Sequence, residues 1–123
     1  MKIEEKLKAR YLYSLNLNPF KLIYFIFQFL KFKFKPRIIN ANWGLDVVIK
    51  DIFKNKKKGI YIDVGCHHPL INNNTYLLYK NGWRGINVDL DFSSIDMFNY
   101  FRPDDCNKLK AVSNIKGFTK FYF

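Results

Sequence analysis

Apolar runs and short polar breaks alternate along the chain, and the breaks fall where secondary structure should turn. Residues Ile60 to Gly65, IYIDVG, run from apolar side chains to an acid and a glycine and pass directly into CHHP. A short apolar run bounded by turn signals predicts a buried strand. Ligands in open α/β sheets bind outside the carboxyl ends of the strands, so Asp63 and Gly65 lie at the expected crevice. Asp63 is too costly to bury without a partner, and Gly65 lets the backbone turn tightly beside a ligand. Upstream, WGLDVVIKDIFK (43–54) places Leu45, Val48, Ile49, Ile52 and Phe53 on one stripe, which predicts an amphipathic helix covering one face of the sheet. NKKKG (55–59) ends it, with lysines suited to a helix C-terminus.

Downstream, Asn73 or Asn74 can cap a helix over about 75–81, with Gly82 as its stop. Gly85 to Asp89, GINVD, predicts a second buried strand that again ends in an acid. Ser93 or Ser94 can cap a third helix with Ile95, Phe98 and Phe101 facing inward and Pro103 beyond its end. Residues 108–113 predict a third strand, 114–117 a turn, and Phe118 to Phe123 a further strand. Helices alternating with strands imply βαβ units with right-handed crossovers. In RPDD, Arg102 and Asp104 suit a local ion pair.

The N-terminal part has a different pattern. Phe20 to Leu30, FKLIYFIFQFL, is almost wholly apolar but shorter than the roughly 20 residues that span a bilayer. KFKFKPR follows. One reading is an interfacial segment, with aromatics in the headgroup region and Lys21, Lys31, Lys33, Lys35 and Arg37 on anionic lipid. The other is a helix and strand packed on the domain with their lysines snorkelling outward. Residues 1–42 are accordingly read as a basic, aromatic extension and 43–123 as the α/β domain.

Charge sharpens this division. Residues 1–58 carry 14 Lys and Arg against 4 acids, and residues 59–123 carry 7 against 6, within a total of +11. The half with the candidate site is nearly neutral, which argues against nucleic acid as a partner, because a binding face should itself carry the basic patch. A chain that is 49% hydrophobic and 19% aromatic is rich enough to fold. Two cysteines, no metal-type CxxC and no secretory leader point to a reducing, cytoplasmic compartment. Contact with the inner face of the membrane would be peripheral.

The two strand-end acids, Asp63 and Asp89, carry the chemistry. Asp89 lies at the spacing from the Gly65 turn at which dinucleotide-binding folds place a ribose-binding acid, roughly 20 residues on. The turn has one glycine and bulky His67, His68 and Pro69, a poor cradle for pyrophosphate. A nucleoside without phosphates, such as S-adenosylmethionine, fits better. Cys66, His67 and His68 are adjacent and cannot converge tetrahedrally on one ion, so no metal is expected. His67 or His68 as a general base stands beside a plain loop role, and Cys66 as a nucleophile beside a small buried thiol. Asp91 either shares the ribose site or caps the next helix, and Trp83 and Tyr79 read as packing residues.

YIDVGCHHPLINNNTYLLYKNGWRGINVDLD, followed by SIDMFNYFRPDDCNKLKAVS, resembles the N-terminal half of the FkbM-type methyltransferases. The strand, the NNTY helix start, GWRG and the RPxD segment stand in the family's order over about 59–123. The resemblance implies a partial Rossmann-like class I methyltransferase domain, with parallel strands and flanking helices, that uses S-adenosylmethionine. It places Asp63 and Gly65 in the loop under the methionine part of the donor and Asp89 at the ribose hydroxyls. The expected cofactor-binding set is Asp63, Gly65, Cys66, Asp89 and Leu90, with methyl transfer to an oxygen or nitrogen of a small-molecule or glycan acceptor. Family members continue with further strands, so the chain is expected to be a truncated member with little turnover. Its aromatic last strand would be an edge open to self-association. The alternative is a membrane-surface interaction module with a degenerate, non-catalytic α/β part.

Overall fold

The computed structural model describes residues 19–34, 41–118 and 120. Eight elements follow one another, beginning with helix α1 (Pro19–Phe34), a 3-10 turn (Asn42–Gly44) and helix α2 (Leu45–Ile52). Strand β1 (Ile60–Val64), helix α3 (Tyr76–Lys80), strand β2 (Arg84–Asp89), helix α4 (Phe92–Phe101) and strand β3 (Cys106–Leu109) complete them. The strands form one parallel sheet in the order β1-β2-β3, with Ile62 opposite Ile86 and Val88 opposite Lys108. This is an α/β architecture compatible with part of a Rossmann-like fold.

Among the described residues the sheet is covered by helices on one face only, and the covered face is the polar one. Tyr61, Gly85 and Asn87 are buried beneath α3 and α4. Ile60, Ile62 and Val64, expected to be buried, are 83%, 68% and 59% exposed, with Ile86 beside them at 37%. Parallel sheets ordinarily bury both faces; among the described residues the aliphatic face here is open. Side chains alternate across a strand, so the register that puts Tyr61 and Asn87 inward necessarily puts these aliphatics outward.

What fills the covered side is the Arg102 guanidinium. Arg102 and Asp105 are both wholly buried and ion-paired at 2.9 Å. Nε of Arg102 donates to Asp105, Nη1 to Asn73 Oδ1 at 3.0 Å, and Nη2 to Thr75 Oγ1 at 3.1 Å and to the Tyr61 hydroxyl. Tyr61 in turn donates to Asp105 Oδ2, and Asp105 Oδ1 accepts from the Gly85 amide. Burying a charge is tolerable only when it is paired and hydrogen-bonded, and here the partners come from β1 (Tyr61), the loop that follows it (Asn73 and Thr75) and the turn after α4 (Asp105). The pairing expected for Arg102 is thus corrected: Asp104 lies on the surface and pairs with Arg84 at 3.2 Å. Above this network Phe98, fully buried, packs with Cys66 and Ile95.

Other expectations shift by a few residues for identifiable reasons. The helix expected to start at Ser93 or Ser94, α4, is capped by Asp91, whose side chain accepts from the Ser93 amide at 2.9 Å, while Ser93 and Ser94 are buried in the first turn. An aspartate one residue before the helix is an equally good cap. Gly82 does end α3, with φ 89. β3 runs from Cys106 to Leu109, so it starts two residues before the expected 108–113 strand and stops four short of its end; Asn107 accepts from Asn87 at 2.8 Å within the ladder. Of the α2 stripe, Leu45, Val48 and Ile52 are exposed, and contact passes through Ile49 and Phe53 to Trp83. The helix therefore flanks the α3 side instead of covering the sheet. The alternating KFKF remains helical to Phe34. Of the expected strand at Phe118 to Phe123, Thr119 and 121–123 lie outside the described residues, as do 1–18 and 35–40.

α1 packs against α4 through Tyr24, Phe25 and Met97, with Phe25 ring centroids 5.1 Å and 6.0 Å from Tyr100 and Phe101. Lys21 reaches Asp96 at 2.7 Å.

Candidate functional site

The carboxyl ends of β1 and β2 open into a cavity of about 300 Å³ lined by Val64, Gly65, Val88, Asp89, Leu90 and residues 110–112. Its position follows from the chain path. Gly65 adopts φ 72, a left-handed conformation that costs other residues strain. A Cβ there would meet nothing within 4 Å, so the turn requires glycine for its backbone angle and not for space. The amides of Gly65 and Cys66 both donate to the Val88 carbonyl, which lays the loop against β2. His67 is left-handed too, with φ 56, and this aims its amide at Asp89 Oδ2, 2.8 Å away.

Asp89 is the polar centre of this edge. Besides the His67 amide, its Oδ1 accepts from the Leu90 amide at 2.7 Å and the Asp91 amide at 2.9 Å. A carboxylate offers about four lone-pair positions, and three backbone donors leave about one acceptor position on a side chain that lines the cavity. The walls beside it, Val64, Val88 and Val112, are aliphatic, which suits a flat ring, and Lys110 supplies a cation at the rim. One hydrogen-bond acceptor among apolar walls can hold a hydroxyl-bearing, partly hydrophobic molecule.

The sequence-expected residues divide between this cavity and the scaffold behind it. Gly65, Asp89 and Leu90 line it. Asp63 does not: its Oδ2 accepts from Thr75 Oγ1 at 2.9 Å and Asn73 Nδ2 at 3.3 Å. It ties the loop after β1 to the strand, and through Thr75 to Arg102. Cys66 is 2% exposed and faces Ile95 and Phe98. Burial, with the neighbouring carboxylates of Asp89 and Asp63 adding to it, pushes its thiol up to about 12. A protonated, enclosed thiol is a packing group and not a nucleophile. His68 is buried, and its Nδ1 accepts from the amides of Leu70 and Ile71, both at 3.1 Å, which makes it a loop-organising residue. Asp91 is occupied as the α4 cap. Among the described residues no His, Cys, Asp and Glu cluster could hold a metal ion. Lys110 and Val112 lie beyond β3 and were missed, because only their position past a strand end marks them.

The Cys66 environment has a measurable consequence. Its folded-state pKa is raised above the ordinary 9.0, and burial raises that of Tyr61 likewise. A raised pKa contributes stability that is complete below about pH 9 and is lost as pH climbs toward 12. Stability from denaturant titrations should fall in that window by about 1.4 kcal/mol per pH unit for Cys66, and Tyr61 adds to the fall only from about pH 10 upward. Cys66→Ala should make the fall shallower; an unchanged slope would show that the thiol is not shielded. In the same native protein Ellman's reagent should titrate Cys106 quickly and Cys66 only on unfolding.

No family model, curated protein or solved structure matches the chain.

Proposed function

We propose that the chain is an S-adenosylmethionine-dependent methyltransferase of the FkbM type, acting on an oxygen or nitrogen of a small-molecule or glycan acceptor. The observation that carries this reading is the Asp89 carboxylate, held by three backbone amides at the mouth of the cavity opposite the left-handed Gly65 turn. The residues present suit a nucleoside donor. Asp89 keeps an acceptor position for a ribose hydroxyl, Leu90 and the valines offer an apolar wall, and the volume is at the lower end of small-ligand pockets. The bound donor would supply an electrophilic methyl group on a sulfonium. The chain's own contribution would be to fix the donor's orientation, since alignment accounts for much of the rate of such transfers. Asp63 and Arg102 would serve by holding the loop in place, not by touching the ligand.

One charge-assisted hydrogen bond is worth roughly 1.5–3 kcal/mol. Asp89→Ala should therefore weaken S-adenosylhomocysteine binding, read by calorimetry, at least about tenfold. Asp89→Asn, which keeps Oδ1 as the acceptor for the Leu90 and Asp91 amides and gives up only the one for His67, guards against a merely misfolded loop. Unchanged affinity in either folded variant would remove Asp89 from the donor site.

A second reading, a membrane-surface module with a non-catalytic α/β part, is favoured by the outward face of α1. On either reading we place the chain in the cytoplasm. Among the described residues no helix is long and apolar enough to cross a membrane.

A further inference from the structure

α1 has two unlike faces. Tyr24, Phe25 and Gln28 are buried against the body. On the opposite side Leu22, Ile23, Ile26, Phe29, Leu30 and Phe34 stand between 41% and 77% exposed. At roughly half of each side chain's area, this stripe presents on the order of 500 Å² of apolar surface, enough to mark an interaction site. The helix is not free to roll and hide it. The Lys21–Asp96 ion pair, the Phe25 contacts and the edge-on packing of Phe32 against Tyr76 at 5.6 Å fix its orientation.

We propose that this face seats the protein on an anionic membrane surface. Charge selects that occupant. α1 contains no acid; Lys21 is engaged with Asp96, and the cations beside the stripe are Lys31 and Lys33 in the last turn, with Lys35 and Arg37 following in the chain. A helix with an aliphatic and aromatic face and lysines around it lies in the interfacial plane, its apolar side among acyl chains and its cations at the headgroups. Sixteen residues rise about 24 Å, short of a bilayer's hydrocarbon core at roughly 30 Å; such a helix lies on the surface. The groove between α1 and α4 adds a second feature in the same place. About 300 Å³ in volume and lined by Phe25, Ile26, Phe29, Tyr100 and Phe101, it shares Ile26 and Phe29 with the exposed stripe, so hydrocarbon can enter beside the helix. The proposal is independent of donor binding at Asp89.

Co-sedimentation of the full chain with two kinds of vesicle tests it. Phosphatidylcholine–phosphatidylglycerol vesicles should bind the protein, and phosphatidylcholine alone should bind it at least about tenfold less, since each lysine near an anionic surface contributes about 1 kcal/mol. Ile26→Asp with Leu30→Asp, both at exposed positions and so tolerable to the fold, should abolish binding; Lys31→Glu with Lys33→Glu should reduce it at least about tenfold. Val48→Asp, an equally exposed site on α2, should leave it unchanged. Equal partition onto neutral and anionic vesicles, or binding that survives Ile26→Asp with Leu30→Asp, overturns the proposal. So does a dimer in lipid-free solution that dissociates on those same two substitutions, because the occupant is then a second copy.

Discussion

Arg102→Ala is expected to lose about 3–5 kcal/mol of folding stability, the range for removing one partner of a buried ion pair. Against a typical total of roughly 5–15 kcal/mol, that is enough to leave much of the population unfolded. The size follows from what stays behind. Asp105, itself wholly buried, would keep a carboxylate beneath α4 with only Tyr61, Asn87 and the Gly85 amide to answer it. Asn73 and Thr75 would lose their cationic donor, and with them the anchor of the loop after β1. Lysine should rescue little, because one ammonium cannot replace a planar fork reaching five partners. Replacing both members, Arg102→Leu with Asp105→Leu, should recover part of the loss, since the unpaired charge is gone. Urea titrations read all three. A loss under about 1 kcal/mol in Arg102→Ala would mean that water reaches the network.

Phe98→Ala should cost a similar 3–5 kcal/mol. The ring is fully buried, contacts Cys66 and Ile95, and lies 4.9 Å from the Arg102 guanidinium carbon. Truncation leaves a void that Cys66 is too small to fill, and it takes away an aromatic face over the buried cation. Phe98→Leu keeps most of the volume and should cost less than about 1.5 kcal/mol. Thermal denaturation separates the two variants; equal costs would show that the cation contact, and not the volume, is what the ring provides.

Much of this was legible locally. The IYIDVG and GINVD strands, the Gly82 stop and the inward Ile95 and Phe98 rest on signals a few residues long, and they stand at the expected places. At the site, Gly65 and Asp89 were legible as a turn residue and a strand-end acid. Arg102 was not. Its partners Tyr61 and Thr75 lie 41 and 27 residues earlier, and in sequence an arginine beside two aspartates reads as a surface ion pair. Asp63 carried the same ambiguity, since a strand-end acid reads alike whether it meets a ligand or braces a loop. The orientation of the sheet was illegible for a related reason. Apolar-in, polar-out is the rule for half-covered strands, and here the buried guanidinium recruits Tyr61 and Asn87 and so reverses it.

That reversal changes what guards the pairing of β1 with β2. In most half-covered sheets a one-residue slip is opposed because it throws the apolar set into water. Here Ile60, Ile62, Val64 and Ile86 are already in water, so hydrophobicity offers little opposition. Slipping β2 by one position would instead bring Ile86 under the guanidinium and turn Asn87 outward, leaving Arg102 and Asp105 with fewer partners in a dry interior. Strand alignment in this protein is thus proofread by electrostatics. Polar contacts weaken with each ångström of misplacement, so the advantage of the correct frame rests on Arg102, which the C-terminal end of α4 holds over Tyr61 and Asn87.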